Sequence, residues 1–519
     1  MSAPKPTEQP TAAVDVCVIG GGINGAGIAR DAVGRGYSVL LVEKGDIASA
    51  TSSWSTKLIH GGLRYLEHNE FALVRASLIE RARLLQVASH LVEPLRFVLP
   101  HGTGMRPAWL IRLGLFLYDN LSLSRRVPGS KGINLSRDKA GEVLKPDLRT
   151  RGFTYYDCQV DDVRLTLANL VDAAARGATI KPQTKLVGAS VQEGLWRLTL
   201  ERQVDGTRYE IHARHVVNAT GPRAAKVAHL LTGTHSPIGL RLVRGSHLVV
   251  QRPAGLDDAY LMQQPDGRVV FIIPYEGQYA LLGTTDEDHT DPDAVAISDV
   301  ETDYLLDAAN RYLAEPLTND SIAWTFAGVR PLLDDGTDDA QEVTRDYKIL
   351  TSRHMMAGVT HVFGGKLTTF RTLSQKVVDD VAKITSATSS GLEHGWTGYT
   401  AFDDAFVDDV ARAKVLDEVR SVLSAPLGAV DAGEVAERLV KMYGRSAQSL
   451  AGVIAAGKET ALMCGLFPTE ITHMVQNEWA RTAEDILFRR SKMGIDQPPE
   501  AFDEVTAAIQ ALDQARNAA

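Results

Sequence analysis

Gly20, Gly22 and Gly25 stand as G-x-G-x-x-G directly after a short apolar run carrying Val16, Val18 and Ile19. In such a motif the first glycine permits a tight turn, the second lets the backbone approach a pyrophosphate, and the third lets a helix pack against the strand. The exposed N–H groups and dipole at the start of the helix beginning near Ile23 then favour an anion. A second buried strand, Tyr37 to Val42, ends in Glu43, 23 residues after Gly20. A carboxylate there accepts hydrogen bonds from ribose hydroxyls and repels a 2′-phosphate. Strand, glycines, helix, strand and acid in this order make a dinucleotide cradle, a far stronger signal than three glycines in a chain that holds 44. The cradle alone does not discriminate FAD from NAD.

A polar run rich in serine and threonine, Ser49 to Lys57, follows and continues into LIHGGLRYLE at Leu58 to Glu67. Its hydroxyls and glycines suit a loop laid along a phosphate or ribityl chain. Two further strand–glycine junctions lie downstream: Val216 to Ala219 ending at Gly221, and Val359 to Phe363 leading into GGKLTTFR and a helix running to about Lys383. Between them, Leu240 to Asp286 reads as an antiparallel sheet on which a substrate domain can be built. Lys185 to His215 alternates apolar and polar residues and predicts an antiparallel hairpin with its turn near Asp205 and Gly206. Phe71 to Leu91 has helical spacing, with Pro94 ending it. Thr388 to Phe402 is rich in Ser, Gly and Thr and reads as a linker, beyond which the chain is helical and charged.

With 519 residues, 44% of them hydrophobic and 23% charged, the composition is that of an ordinary globular protein with room for several domains. A net charge of −9 argues against a nucleic-acid partner. Cys17, Cys158 and Cys464 are far apart and odd in number, so neither a disulfide framework nor a metal site is indicated, and a reducing cytoplasm is the expected setting. The opening MSAPKPTEQPTAA has no apolar core and reads as a disordered lead-in. No stretch supplies the roughly 18 to 20 apolar residues of a membrane span. Pro107 to Leu123 comes nearest, carrying Trp109, Phe116 and Tyr118 between Arg106 and Arg112 on one side and Arg125 and Arg126 on the other. It is either a core helix or an amphipathic helix lying in a bilayer interface.

Taken together, IGGGINGAGIARDA (Ile19 to Ala32), ATSSWSTKLIHGGLRYLE (Ala50 to Glu67), RGSH (Arg244 to His247) and GTTDED (Gly283 to Asp288) are similar to motifs of one flavoprotein group. AGVRPL (Ala327 to Leu332), TRDYKI (Thr344 to Ile349), FGGKLTTFR (Phe363 to Arg371) and RTAEDILFRRSKMG (Arg481 to Gly494) extend the match over nearly the whole chain. The chain resembles the FAD-dependent sn-glycerol-3-phosphate dehydrogenases of the aerobic, membrane-associated type, within the D-amino-acid-oxidase-like superfamily. Trp54, in a variable slot of the serine run, and Phe370, where tyrosine is more usual, are the departures.

The resemblance implies FAD, with pyrophosphate along Gly20, Gly22, Asn24 and Gly25, ribose on Glu43, and flavin near Ser52, Ser53, Gly221, Gly364, Gly365 and Thr368. It implies oxidation of glycerol 3-phosphate to dihydroxyacetone phosphate, with electrons passed to ubiquinone. Arg64, Arg330, Arg345 and Lys366 become candidates for holding the phosphate, because a guanidinium gives two parallel charge-assisted bonds and an ammonium a point charge. His247 is the preferred base, since imidazole titrates near neutrality. Arg330 and Lys366 join it as catalytic candidates, Tyr65 orients substrate, and His60 is structural or flavin-adjacent. Quinone reduction also favours interfacial placement of Pro107 to Leu123 on an anionic membrane, at the cytoplasmic face of the cell membrane.

The expected architecture is α/β plus α+β. A Rossmann-like FAD-binding domain (about 14–105, 147–238 and 350–387) is interleaved with an antiparallel-sheet substrate or cap domain (about 106–146 and 239–349). The lead-in at 1–13, a linker at 388–402 and an all-helical domain at 403–519 complete the chain. A homodimer stays open. So do two other functions: an FAD oxidase of the same superfamily reducing oxygen to peroxide, and a flavin-containing, non-catalytic protein whose helical domain binds a partner.

Overall fold

The computed structural model describes residues 13–66, 69–102, 106–122, 126–236, 238–334, 346–385 and 391–518; most of the expected lead-in, Arg125 and Arg345 fall outside them. The first apolar run forms the strand Val14–Ile19, parallel to Val39–Val42 on one side and to Arg208–Asn218 on the other. Thr179–Lys181 and Ala357–Gly364 extend this parallel sheet outward, and Tyr347–His354 adds an antiparallel edge. A strand covered on both faces buries both sets of alternating side chains, which is why it reads as continuously apolar. Val16 and Val18 face the helices Ile23–Gly34, Asp162–Ala175 and Phe370–Ile384, whereas Cys17 and Ile19 face an antiparallel flap.

The flap differs from the single hairpin that alternation predicts. Thr184–Gln192, Leu195–Arg202 and Arg208–Asn218 form a three-stranded meander, with one turn at Glu193 and Gly194, both at positive φ, and another at Gly206. The third strand pairs antiparallel with Leu195–Arg202 at its start and parallel with Val14–Ile19 at its end. One strand therefore joins flap and cradle, which an alternation pattern cannot reveal.

The second sheet has ten strands, running in order Glu287–His289, Leu240–Gln251, Tyr279–Gly283, Val269–Tyr275, Ala259–Gln263, Val92–His101, Arg151–Val160 and Leu58–Ile59. Ile322–Leu333 pairs with Leu240–Gln251, and Lys131–Asn134 with Arg151–Val160. Val92–His101 and Arg151–Val160 lie in segments that the sequence groups with the nucleotide unit, yet they pair with each other inside the second sheet. The interleaving is thus finer than boundaries at 105 and 147 suggest. One face of this sheet is covered by the helix Asp299–Asn310. The other packs against Phe71–Val87 and Ala108–Asn120.

The C-terminal region is helical, with Asp409–Leu427, Ala429–Tyr443, Ala447–Gly457, Pro468–Asn477, a π-helical turn Asp485–Arg490 and Pro499–Ala518. Its apolar faces close on a core that includes Val419, Leu439, Ile454, Phe467 and Ile471. The described part of the expected linker is largely exposed, with Trp396, Thr397 and Phe402 as buried anchors. Trp396 is fully buried against Gly34, and its indole N–H donates to the Asp31 carbonyl at 3.3 Å.

Candidate active site

Three strands of the parallel sheet end at one edge, and each ends at or within three residues of a glycine there: Gly20, Gly221 and Gly364. Ligands of such sheets bind outside the carboxyl ends of the strands, and here a cavity of about 1380 Å³ opens there. Gly20 has φ +113°, and a Cβ on Gly25 would stand 1.9 Å from the Gly20 carbonyl oxygen, so only glycine lets the helix Ile23–Gly34 approach its strand this closely. The helix has no side-chain cap and no acid in its first turn. Instead the Ser52 hydroxyl accepts from the Ile23 N–H at 2.9 Å, placing the serine run beside the helix N-terminus. Glu43 accepts from the N–H groups of Gly21 at 2.7 Å and Gly45 at 2.9 Å. A carboxylate has about four acceptor sites, so this fixes Glu43 and leaves capacity for ribose hydroxyls.

The other two junctions face the first. Asn218, at the end of its strand, accepts from the Thr220 hydroxyl at 2.7 Å and donates to the Ala224 carbonyl at 2.8 Å, shaping the turn at Gly221. The Asn24 amide donates to the Gly364 carbonyl at 3.2 Å, while its own buried Oδ1 has no hydrogen-bond partner among the described residues. An unmatched buried acceptor in a cavity lined by glycines and helix N–H groups fits a dinucleotide with donors of its own. Gly20, Gly22, Asn24, Glu43, Ser52, Gly221, Gly364, Gly365 and Thr368 all line the cavity. Gly25 and Ser53 do not: Gly25 serves packing, and Ser53 is buried with its hydroxyl donating to the Ala48 carbonyl.

Beyond the cradle, the same cavity gathers three cationic side chains among its lining carboxylates. Arg64, Tyr65, Arg330 and Lys366 line it, with the Lys366 ammonium 3.9 Å from the centre of the Tyr65 ring. Arg330 donates to the Thr284 hydroxyl at 2.7 Å and to the Asp286 carboxylate. A Cβ at Gly245 would meet its guanidinium at 2.0 Å, which accounts for the glycine of RGSH. The Thr284–Asp286 turn is held from below by buried Glu301, which accepts from Ser246 at 2.7 Å and Thr285 at 2.8 Å.

The structure separates the two histidines. His60 lines the cavity, and its backbone N–H and carbonyl bracket the Thr368 hydroxyl at 3.2 and 3.3 Å. Burial holds its pKa below the ordinary imidazole value, Asp157 pulling it up and Lys366 and Arg81 pushing it down. His247 is not among the lining residues. Its ring is fully buried, stacked on Phe326 at 4.8 Å, with Nε2 3.0 Å from the Thr56 hydroxyl. Burial, then Arg330 and Lys57, push its pKa well below the ordinary value. Thr56 and Phe326, which do line the cavity, stand in front of it. Both histidines sit in motifs visible in the sequence, but which one is screened depends on Phe326, far away in the chain. Asp157 was not singled out; it accepts from Arg81 at 2.6 Å and from Tyr118 at 2.8 Å, and Tyr118 in turn accepts from the Gly61 N–H at 2.8 Å. No local pattern marks it.

Residues 15–371 match the model of the FAD dependent oxidoreductase family, and residues 409–518 match that of the C-terminal domain of alpha-glycerophosphate oxidase. The chain is 43% identical over 491 residues to a glycerol-3-phosphate dehydrogenase of Pseudomonas aeruginosa, covering 93% of each protein. It belongs to the FAD-dependent oxidoreductase family, in its glycerol-3-phosphate dehydrogenase branch. An aerobic glycerol-3-phosphate dehydrogenase of Escherichia coli is 42% identical over 93% of this chain and 94% of that protein. A D-erythritol 1-phosphate dehydrogenase of Brucella abortus is 42% identical over 92% and 94%. Among solved structures, the glycerol-3-phosphate dehydrogenase of Bacillus halodurans complexed with FAD superposes with a TM-score of 0.74 at 27% identity, over 96% of this chain and 94% of that one. FAD is therefore the cofactor of this oxidoreductase, and the cradle at Gly20, Glu43, Ser52, Gly221 and Gly364 is the region that fits it.

Proposed function

We propose that this oxidoreductase converts sn-glycerol 3-phosphate to dihydroxyacetone phosphate and passes the electrons to a membrane quinone. The observation that carries the reading is that Arg64, Arg330 and Lys366 meet in one cavity with the FAD cradle. Bound FAD supplies the acceptor for a hydride from the substrate C2. The chain supplies the rest. Arg330 and Arg64 clamp the phosphate with planar donors, Lys366 adds a point charge, and Tyr65 holds Lys366 in place through its ring. Fixing the charged end in this way turns recognition into orientation of C2, which supplies much of the rate.

Removing the proton from the C2 hydroxyl needs a neutral imidazole in contact with substrate. We assign that part to His60, which lines the cavity and whose pKa burial lowers, favouring the neutral form. His247 takes a positioning part, holding Thr56 from behind. Anaerobic mixing of the oxidised holoenzyme with glycerol 3-phosphate, glycerol or a D-amino acid tests the reading. Bleaching of the flavin spectrum by glycerol 3-phosphate alone is expected, and failure to bleach would refute it. The Brucella relative motivates a second reading, a four-carbon polyol phosphate. A higher kcat/KM for D-erythritol 1-phosphate than for glycerol 3-phosphate would favour it.

For the membrane, the helix Ala108–Asn120 supports peripheral attachment at the cytoplasmic face. Tyr118 and Leu115 point inward, while Trp109, Leu113 and Phe116 are 69%, 46% and 54% exposed on the outer side, next to exposed Arg106 and Arg112. Apolar residues with basic neighbours suit the interface of an anionic bilayer. No helix among the described residues is long and apolar enough to cross a membrane.

A further inference from the structure

The strand Leu58–Ile59 pairs antiparallel with Arg151–Val160, Leu58 standing opposite Gln159 and Ile59 opposite Cys158. Continued by one residue, that register sets His60 opposite Asp157, and directly opposed residues have Cβ atoms about 4.5–5.5 Å apart. The faces agree with this pairing. Leu58 and Tyr155 belong to one apolar cluster, Ile59 and Cys158 to another. Residues two apart on a strand share a face, so His60 and Asp157 fall on the side of Leu58 and Tyr155, and all four line the cavity. Asp157 is buried and firmly fixed there. The Tyr118 hydroxyl lies 2.8 Å from each of its carboxylate oxygens, and Arg81 donates to Oδ1 at 2.6 Å and to the Tyr156 carbonyl at 2.6 Å. The Gly61 N–H donates to the Tyr118 oxygen at 2.8 Å and lies 3.4 Å from Oδ1, so the carboxylate is tied to the backbone directly after His60. A Cβ at Gly61 would stand 2.6 Å from the Tyr118 oxygen, so this approach requires glycine. A buried carboxylate–guanidinium pair is a weak source of net stability, which leaves the placing of the charge beside His60 to be explained.

Resting on the assignment of His60 as the base, we propose that Asp157 is a positioning residue for the same reaction, its carboxylate locked by Tyr118 and Arg81 so that it orients the His60 segment and stabilises the imidazolium formed there. The step balances on named atoms. The O–H bond of the C2 hydroxyl breaks, an N–H bond forms on His60, and the hydride leaves C2 with its electron pair for the bound cofactor. The substrate becomes a ketone and the ring gains one positive charge. Among the charged groups around His60, Asp157 favours that charge, whereas Lys366 and Arg81 oppose it, and Arg64 shares the cavity as a further cation. Burial and Asp157 hold the Tyr118 pKa well above its ordinary value, so Tyr118 stays a hydrogen-bond donor to the carboxylate. Arg81 fixes the carboxylate and, as a cation, tempers its pull on the ring. Two side chains of opposite sign thus set the basicity of His60.

The test uses the full-length, FAD-loaded enzyme. Asp157→Asn keeps the shape of the side chain and removes its charge. It should lower the anaerobic rate of flavin bleaching at saturating glycerol 3-phosphate about tenfold or more, leave KM within about threefold, and move the acid limb of the kcat/KM profile down by about half a pH unit or more. Arg81→Gln, which removes the opposing cation, should move the limb up by a similar amount. A merely structural role produces no such pair of opposite shifts. The same shifts should appear without substrate in the titration of the His60 imidazole, followed by NMR of histidine-labelled enzyme and identified by its absence in His60→Gln. Tyr118→Phe, which keeps both charges and loses the link to Gly61, should lower the bleaching rate about threefold or more with FAD content unchanged; it decides the positioning part if Asp157→Asn does not fold. A limb and a resonance unmoved in both charge variants, or moved in the same direction, would overturn the proposal. If His60→Gln bleaches as fast as wild type, the assignment of the base fails by itself, and the NMR titration still decides whether Asp157 and Arg81 govern the ring.

Discussion

Arg330→Ala probes the phosphate clamp, and its cost is set by what Arg330 touches. The guanidinium bridges Thr284 and Asp286, both at the cavity wall. Hydrogen bonds from a charged donor are each worth about 1.5–3 kcal/mol. Deleting them also leaves Asp286 facing a phosphate dianion with no intervening cation. At an effective dielectric of about 20 and a spacing of about 5 Å, two unit charges repel by about 3 kcal/mol. Water reaches this site, as Arg330 is 26% exposed, and reduces that figure. A net loss of about 3–5 kcal/mol in transition-state binding follows, roughly 100- to 5,000-fold in kcat/KM, chiefly through KM. The double variant Arg330→Ala, Asp286→Asn removes the repulsion and should recover about tenfold. Steady-state kinetics with a dye acceptor measures the first effect, and the flavin-to-protein absorbance ratio checks the cofactor. Loss of FAD in step with loss of kcat/KM, or no recovery in the double variant, would refute the reasoning.

Further consequences concern pH and the membrane. His60→Gln should lower kcat by about 10²- to 10⁴-fold, the range of general base catalysis, and flatten the acid limb of the rate profile. In the wild type that limb should lie below the ordinary imidazole value of about 6.5, because burial depresses His60; a limb above 7 would contradict the assignment. Stability should follow His90, His215 and His361, whose pKa values burial lowers to about 3, about 3 and about 4, Arg164 and Arg412 reinforcing the shift at His90, and Arg353 and His361 at His215. Their folded values lie below the unfolded one, so the contribution is fully present above about pH 6.5 and falls by about 1.4 kcal/mol per histidine per pH unit on acidification towards the folded values. A thermal melt between pH 7 and 5 should show this slope in Tm, and His90→Gln should reduce it; a slope identical in the variant would count against the cause. Trp109→Glu with Phe116→Glu should weaken co-sedimentation with phosphatidylglycerol vesicles at least tenfold, with dye-linked turnover within twofold of wild type. Unaltered sedimentation would remove this helix from the interface.

What could be read from the sequence was what is contiguous in it. The cradle from Val14 to Glu43 is one local unit whose glycines and strands carry their own signals, and it folds as read. The Ser49 to Tyr65 segment was legible for the same reason. The finer interleaving was not, because Val92–His101 follows a helix after only a few residues and contains Pro94 and Pro100, which suggest termination and not a strand. Composition at 388–402 could not reveal the contacts of its described part: Trp396, together with the backbone N–H groups of Gly391 and Leu392, fastens it to the end of the helix Ile23–Gly34. The ring contacts of Trp54, Trp324 and Phe488 were invisible, since these residues share no period and meet only through tertiary packing. His60 and His247 could not be ranked from sequence because the difference between them is the screen of Thr56 and Phe326.

That packing also explains why a helical domain follows the catalytic layers. Arg490 is fully buried and donates to the Asp46 carboxylate at 2.7 Å, while Arg489 donates to the same carboxylate at 2.6 Å. Asp46 sits between Glu43 and Ala48, whose N–H donates to the Gly21 carbonyl at 3.1 Å. A buried carboxylate between two guanidiniums is a poor source of net stability, yet losing one partner costs about 3–5 kcal/mol, so the contact dictates geometry. The geometry it dictates is that of the loop following Glu43, whose carboxylate lines the cavity. The π-helical turn Asp485–Arg490 closes i to i+5, and its side chains leave it in two directions. Phe488 leaves it towards Trp324, and Arg489 and Arg490 leave it towards Asp46. One turn of the C-terminal domain thus ties the loop after Glu43 to the strand Ile322–Leu333 on the cavity wall.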